Sequence, residues 1–99
     1  GVTPAIRDEA YLELAVLYLD QGRHADVLKT VSDFNRVQKD GYTLERARLV
    51  LTQAYMAQGL YKQAASELQS FKKKFPKSTL ISQVDGMLPN IERMAAATQ

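Results

Sequence analysis

The sequence predicts an all-α fold of antiparallel helical hairpins, stacked in a short array and closed by a C-terminal capping helix. Three observations lead there. Apolar residues recur at helical spacing through most of the 99 residues, one short pattern occurs twice, and the breaks between helical stretches are short and carry glycine or proline. The repeated pattern is Tyr18-Leu19-Asp20-Gln21-Gly22-Arg23-His24, echoed 37 residues later by Tyr55-Met56-Ala57-Gln58-Gly59-Leu60-Tyr61. The same offset superposes Leu14 on Leu51, Val31 on Leu68 and Phe34 on Phe71.

Each element has its own signals. Thr3 caps and Pro4 opens a helix over 4–21, whose apolar positions are Leu12, Leu14, Ala15, Tyr18 and Leu19. Gln21-Gly22 stops it, because glycine takes a left-handed conformation without steric cost. A second helix over 24–39 carries Val27, Leu28, Val31 and Phe34, and Asp40-Gly41 closes this hairpin before Thr43 caps a third helix over 43–58. After Gln58-Gly59 a fourth helix runs over 61–75, where Ala64 and Ala65 allow close helix approach, and Phe75-Pro76 ends it. From Ser78 onward, Leu80, Ile81, Val84, Leu88, Ile91 and Met94 form a helical stripe suited to covering the flank of the second hairpin. Pro89 lies inside that stripe and kinks the helix or divides it, and residues 95–99 are expected to fray.

Composition narrows the function. An apolar fraction of 45% with 24% charged residues is that of a folded globular domain, and the length suits one domain, 1–99. Without cysteine there is no disulfide, thiolate nucleophile or cysteine-based zinc site. No apolar run approaches the roughly 20 residues of a membrane-spanning helix. A start at Gly1 with no initiator Met or export signal reads as a mature or excised segment.

The candidates for chemistry are few. His24 is the only histidine and has no companions for acid–base work or metal binding. Asp8, Glu9 and Glu13 sit in early helical turns, where acids meet the positive end of the helix dipole, and Lys72, Lys73, Lys74 and Lys77 lie at a helix end where cations meet the negative one. A net charge of +2 and the core-like spacing of Tyr61, Phe71 and Phe75 argue against a nucleic-acid surface. No phosphate loop, nucleophile elbow or metal spacing occurs, so the reading is a non-enzyme with no cofactor and no metal.

The second unit, with Leu51, Tyr55, Gly59, Tyr61, Ala64, Leu68 and Pro76, resembles a tetratricopeptide repeat (TPR). The first matches it at Tyr11, Leu14, Ala15, Tyr18 and Gly22 but has His24 and Val27 where an aromatic residue and an alanine are usual. Its spacing of 37 residues exceeds the family's repeat of about 34, the excess falling around Lys39–Tyr42. A third unit is half present, with Gly86 in place but Ser82, Asp85 and Pro89 replacing large apolar residues. The resemblance divides the chain into a degenerate repeat over 8–41, a second repeat over 45–78 and a capping helix or half repeat over 79–97. It implies a short TPR-like α-solenoid that acts as a protein–protein interaction scaffold. The run Phe71-Lys72-Lys73-Lys74-Phe75-Pro76-Lys77-Ser78 also resembles repeat ends in bacterial cell-envelope proteins, such as outer-membrane assembly lipoproteins and Tol-Pal accessory proteins, which would imply a periplasmic or envelope location.

In the family's register the concave groove is lined by Glu9, Leu12, Val16 and Leu19 from the first unit and by Arg46, Leu49, Gln53 and Met56 from the second. The resemblance therefore implies a protein or peptide partner with aliphatic or aromatic anchors, oriented by Glu9 and Arg46. Relatives that clamp a C-terminal carboxylate use Lys and Asn where this chain has Leu12, Val16 and Val50, which disfavours that ligand. The alternative is a structural element that covers these apolar positions by self-association as a homo-oligomer.

Overall fold

A computed structural model describes residues 1–98 as five α-helices with no strand among them. The helices are α1 (Pro4–Asp20), α2 (His24–Val37), α3 (Tyr42–Ala57), α4 (Tyr61–Lys74) and α5 (Ile81–Ala97). α1 packs on α2 and α3, α3 also on α2 and α4, and α5 on α4 alone. The connections between α1 and α2 and between α3 and α4 are short, so each of these pairs folds back on itself. The molecule measures 49 × 31 × 18 Å, a slab rather than a sphere.

The helix boundaries follow from local chemistry. Thr3 accepts a hydrogen bond from the Ile6 N–H at 3.2 Å, and Pro4 occupies the first turn, where its missing N–H costs nothing. α1 and α3 end in the same turn. The Arg23 N–H donates to the Tyr18 carbonyl at 2.9 Å and the Gly22 N–H to Leu19 at 3.0 Å. Leu60 and Gly59 repeat these bonds to Tyr55 and Met56 at 2.9 and 3.0 Å. This is the Schellman pattern, in which the last carbonyls of a helix find donors just beyond a left-handed residue. That residue is glycine in both turns, at φ 71° in Gly22 and 72° in Gly59.

A Cβ added at either glycine meets nothing within 4 Å, so an alanine is opposed by backbone conformation alone. Gly22→Ala and Gly59→Ala should each lower stability by about 1–2 kcal/mol, the usual cost of a left-handed L-residue. Urea unfolding should show the two losses to be similar, since the turns are alike.

The core is one cluster in which Val27, Val31 and Phe34 of α2 and Ala64, Leu68 and Phe71 of α4 are all buried. Tyr11 stacks on Phe34 with centroids 5.0 Å apart, and Phe71 meets the edge of Phe75 at 5.1 Å. Arg48 stands where the first unit has Tyr11. Its Nε donates to Glu67 Oε1 at 3.0 Å, Nη2 donates to Ser70 Oγ at 3.3 Å, and the guanidinium lies 5.5 Å from the Phe75 ring centroid.

Three expectations need correction. α3 starts at Tyr42 with Gly41 as its cap position at φ 105°, so Thr43 lies inside the helix and does not cap it. α5 runs through Pro89 as one helix, so the proline does not divide it, and helical structure persists through Ala97, so residues 95–97 form part of the last turn; Gln99 lies outside the described residues. Pro89 is exposed, which lets water reach the carbonyl that its missing N–H leaves without a donor. Finally, Leu14 and Leu51 share a register but not an environment: Leu51 is 6% exposed and Leu14 39%.

Candidate functional site

α1 and α3 lie side by side, whereas α5 packs on α4 and makes no close backbone approach to α3 among the described residues. Side chains rather than backbones therefore bridge α3 and the start of α5. The connection to α5 is tied to α3 by Ser78, whose hydroxyl donates to the Glu45 carboxylate, while the Leu80 N–H donates to Ser78 Oγ at 3.0 Å. Between these elements is an open cavity of about 340 Å³ lined by Val16 of α1, by Tyr42, Arg46, Leu49, Val50 and Gln53 of α3, and by Leu80 and Gln83 at the start of α5.

Four of the eight residues expected in a groove, Val16, Arg46, Leu49 and Gln53, thus meet in one cavity. The other four do not line it. Glu9 is exposed on α1, Leu19 and Met56 are half-buried against the core, and Leu12 is a core residue at 3% exposure. Leu49 is also buried at 6%, so the floor of the cavity is core and its apolar rim is Val16 and Tyr42. Sequence reasoning did not place Leu80 and Gln83 here, because the tail stripe was legible only as a cover for the second hairpin. α5 does pack on α4, and the α4–α5 connection in addition brings the Leu80 and Gln83 side chains to the edge of the cavity beside α3.

The rim offers one cation in partly apolar surroundings. Arg46 is exposed and makes no ion pair among the described residues. The opposite side of α3 differs. A depression of about 420 Å³ between α2 and α4 contains Arg48, Tyr55, Glu67 and Lys74, and there Arg48 and Glu67 already satisfy each other. Each hollow thus keeps one cation outside any ion pair among the described residues, Arg46 in the α1–α3–α5 cavity and Lys74 in the other, where it lies against the Phe75 ring.

Burial pushes the Tyr55 hydroxyl above its ordinary value, and the Glu67 carboxylate adds to the shift. A pKa raised on folding means that the neutral phenol stabilises the native state below the unfolded value of about 10 and that this contribution is lost as pH rises through the folded value. Stability should therefore fall more steeply above pH 10 in the native sequence than in Tyr55→Phe, as denaturant midpoints across that range would show. The basic run is partly engaged: Lys72 pairs with Asp85 at 2.7 Å and Lys74 lies 5.8 Å from the Phe75 ring centroid. His24 lies beside Leu28, Leu51 and Ala54 at the α2–α3 seam.

Among the described residues no helix is long and apolar enough to cross a membrane, and no three His, Cys, Asp or Glu side chains gather as a metal site. No family model, no curated protein and no solved structure matches the chain.

Proposed function

We propose that the chain is a tetratricopeptide-type interaction module whose α1–α3–α5 cavity receives a segment of a partner protein. The observation that carries this reading is the convergence of Val16, Tyr42, Arg46 and Gln53 from two helices on a hollow with an apolar rim and one unpaired cation. The two identical Schellman turns, 37 residues apart, support the repeat. In this reading α5 is a capping helix, since it packs on α4 but not on α3, whereas α3 packs on both α1 and α2; its first turn borders the C-terminal side of the groove. The fitting ligand is an extended or helical segment with an aliphatic or aromatic anchor for Val16 and Tyr42 and a carboxylate for Arg46. The work of such a module is positioning rather than catalysis, and its placement in a bacterial cell envelope belongs to the same proposal.

Selection from a random peptide library tests it. Sequences that pair an acidic residue with an apolar anchor should be enriched, and Arg46→Glu should weaken the selected peptides by about tenfold or more, the cost of losing a charge-assisted hydrogen bond and meeting a like charge. Equal affinity for the variant, or no enrichment, contradicts the proposal. Scattering mass across a concentration series covers the self-assembly alternative: a native chain that dimerises, with Val16→Glu folded and monomeric, would assign the cavity to a second copy.

A further inference from the structure

Among the described residues nothing packs on the outer face of α1, and the internal repeat shows what kind of surface it is. Ile6, Ala10, Leu14 and Leu17 follow one another at helical spacing on the side away from α2 and α3, and all are exposed, Ile6 at 58% and Leu17 at 50%. Shifted by 37 residues, Ala10, Leu14 and Leu17 become Ala47, Leu51 and Ala54, all buried. There the neighbouring helix is α2, whose Leu28 shares one hollow with Leu51 and Ala54. α1 thus repeats the surface that α3 uses to hold a helix, and no helix among the described residues lies on it.

Charge specifies the occupant. Glu9, Glu13 and Asp20 run along one flank of the stripe, exposed and without ion pairs among the described residues. From this geometry we infer that the outer face of α1 docks an amphipathic helix of another protein, with an aliphatic edge like that of α2 and a Lys- or Arg-bearing flank against the acidic row. This surface is separate from the α1–α3–α5 cavity and does not depend on what binds there. An intact second copy is a poor occupant: its basic helix α4 has Ala64, Leu68 and Phe71 already buried, and an antiparallel pair of α1 helices would bring the two acidic rows together on one side.

A synthetic peptide with the sequence of residues 61–77 has the required chemistry, with Lys62, Lys72, Lys73, Lys74 and Lys77 beside an apolar edge. Titrated into the isotope-labelled chain, it should shift the amide signals of Ile6, Ala10, Leu14 and Leu17. Its affinity should fall about tenfold or more in Leu17→Glu, as expected when an apolar anchor is lost. It should also weaken as ionic strength rises. Glu9→Lys with Glu13→Lys should reverse the preference, favouring the same peptide with its lysines replaced by glutamate. Both variants change exposed positions, and circular dichroism confirms their folding. No binding, binding centred on Val16, Arg46 and Gln53, or indifference to the charge reversal would overturn the inference. So would shifts on α1 that follow the chain's own concentration without peptide, because the face would then belong to a second copy.

Discussion

Glu67→Ala should destabilise the protein by about 3–5 kcal/mol, because it leaves the Arg48 guanidinium buried without its countercharge. The Arg48 side chain is 9% exposed and that of Glu67 17%, so little water is at hand to replace the carboxylate. Ser70 Oγ, at 3.3 Å, provides a neutral acceptor but no charge, and the Phe75 ring provides only its electron-rich face. The pair itself is not the source of that loss. Removing both members, as Arg48→Met with Glu67→Leu, should recover most of the stability, because two desolvated charges are exchanged for packed apolar volume. Denaturant unfolding of the two variants and the native chain gives the comparison. A double variant as unstable as Glu67→Ala would mean that the Arg48 network organises α3 against α4 in a way that apolar packing cannot.

Phe71→Ala should cost about 3–5 kcal/mol, the range for truncating a fully buried aromatic residue. Phe34→Ala should cost a similar amount, since Phe34 is equally buried and loses its stack on Tyr11. For a domain whose total stability is about 5–15 kcal/mol, either change removes a large share. Melting temperature should drop by about 4–8 °C per kcal/mol at this chain length, so calorimetry resolves both variants. The two sites should differ in kind as well: Phe34 joins α2 to α1, whereas Phe71 and Phe75 together pin the end of α4 where Arg48 and the turn into α5 meet.

The turns were the most legible part of the fold, because glycine has a specific physical role there. Gln21-Gly22 and Gln58-Gly59 mark positive-φ positions in the sequence, and the backbone takes that conformation at both. The cap by Thr3 and the stop at Phe75-Pro76 were readable for the same reason, since each depends on local bonding and sterics. Burial was less legible. Helical spacing alone cannot distinguish Leu14 from Leu51, because their difference arises from whether another helix lies outside them. α1 is apolar on two sides, and its sequence does not say which side faces the core.

The candidate site shows the same division. Val16, Arg46, Leu49 and Gln53 line a common hollow because α1 pairs with α3 in the register that the repeat implies. Leu12 and Leu49, expected to line the groove, are buried, because a register gives direction and not depth. Leu80 and Gln83 escaped notice because they reach the site through the path of the α4–α5 connection, which depends on the long-range contact between Ser78 and Glu45.

The most direct test of the central claim is the footprint of a selected peptide on the isotope-labelled chain. Binding in the proposed groove predicts amide shifts at Val16, Tyr42, Arg46, Gln53 and Gln83, with α2 and the outer side of α4 undisturbed. Shifts centred instead on Leu28, Tyr55 and Ser70, across the opposite side of α3, would contradict it.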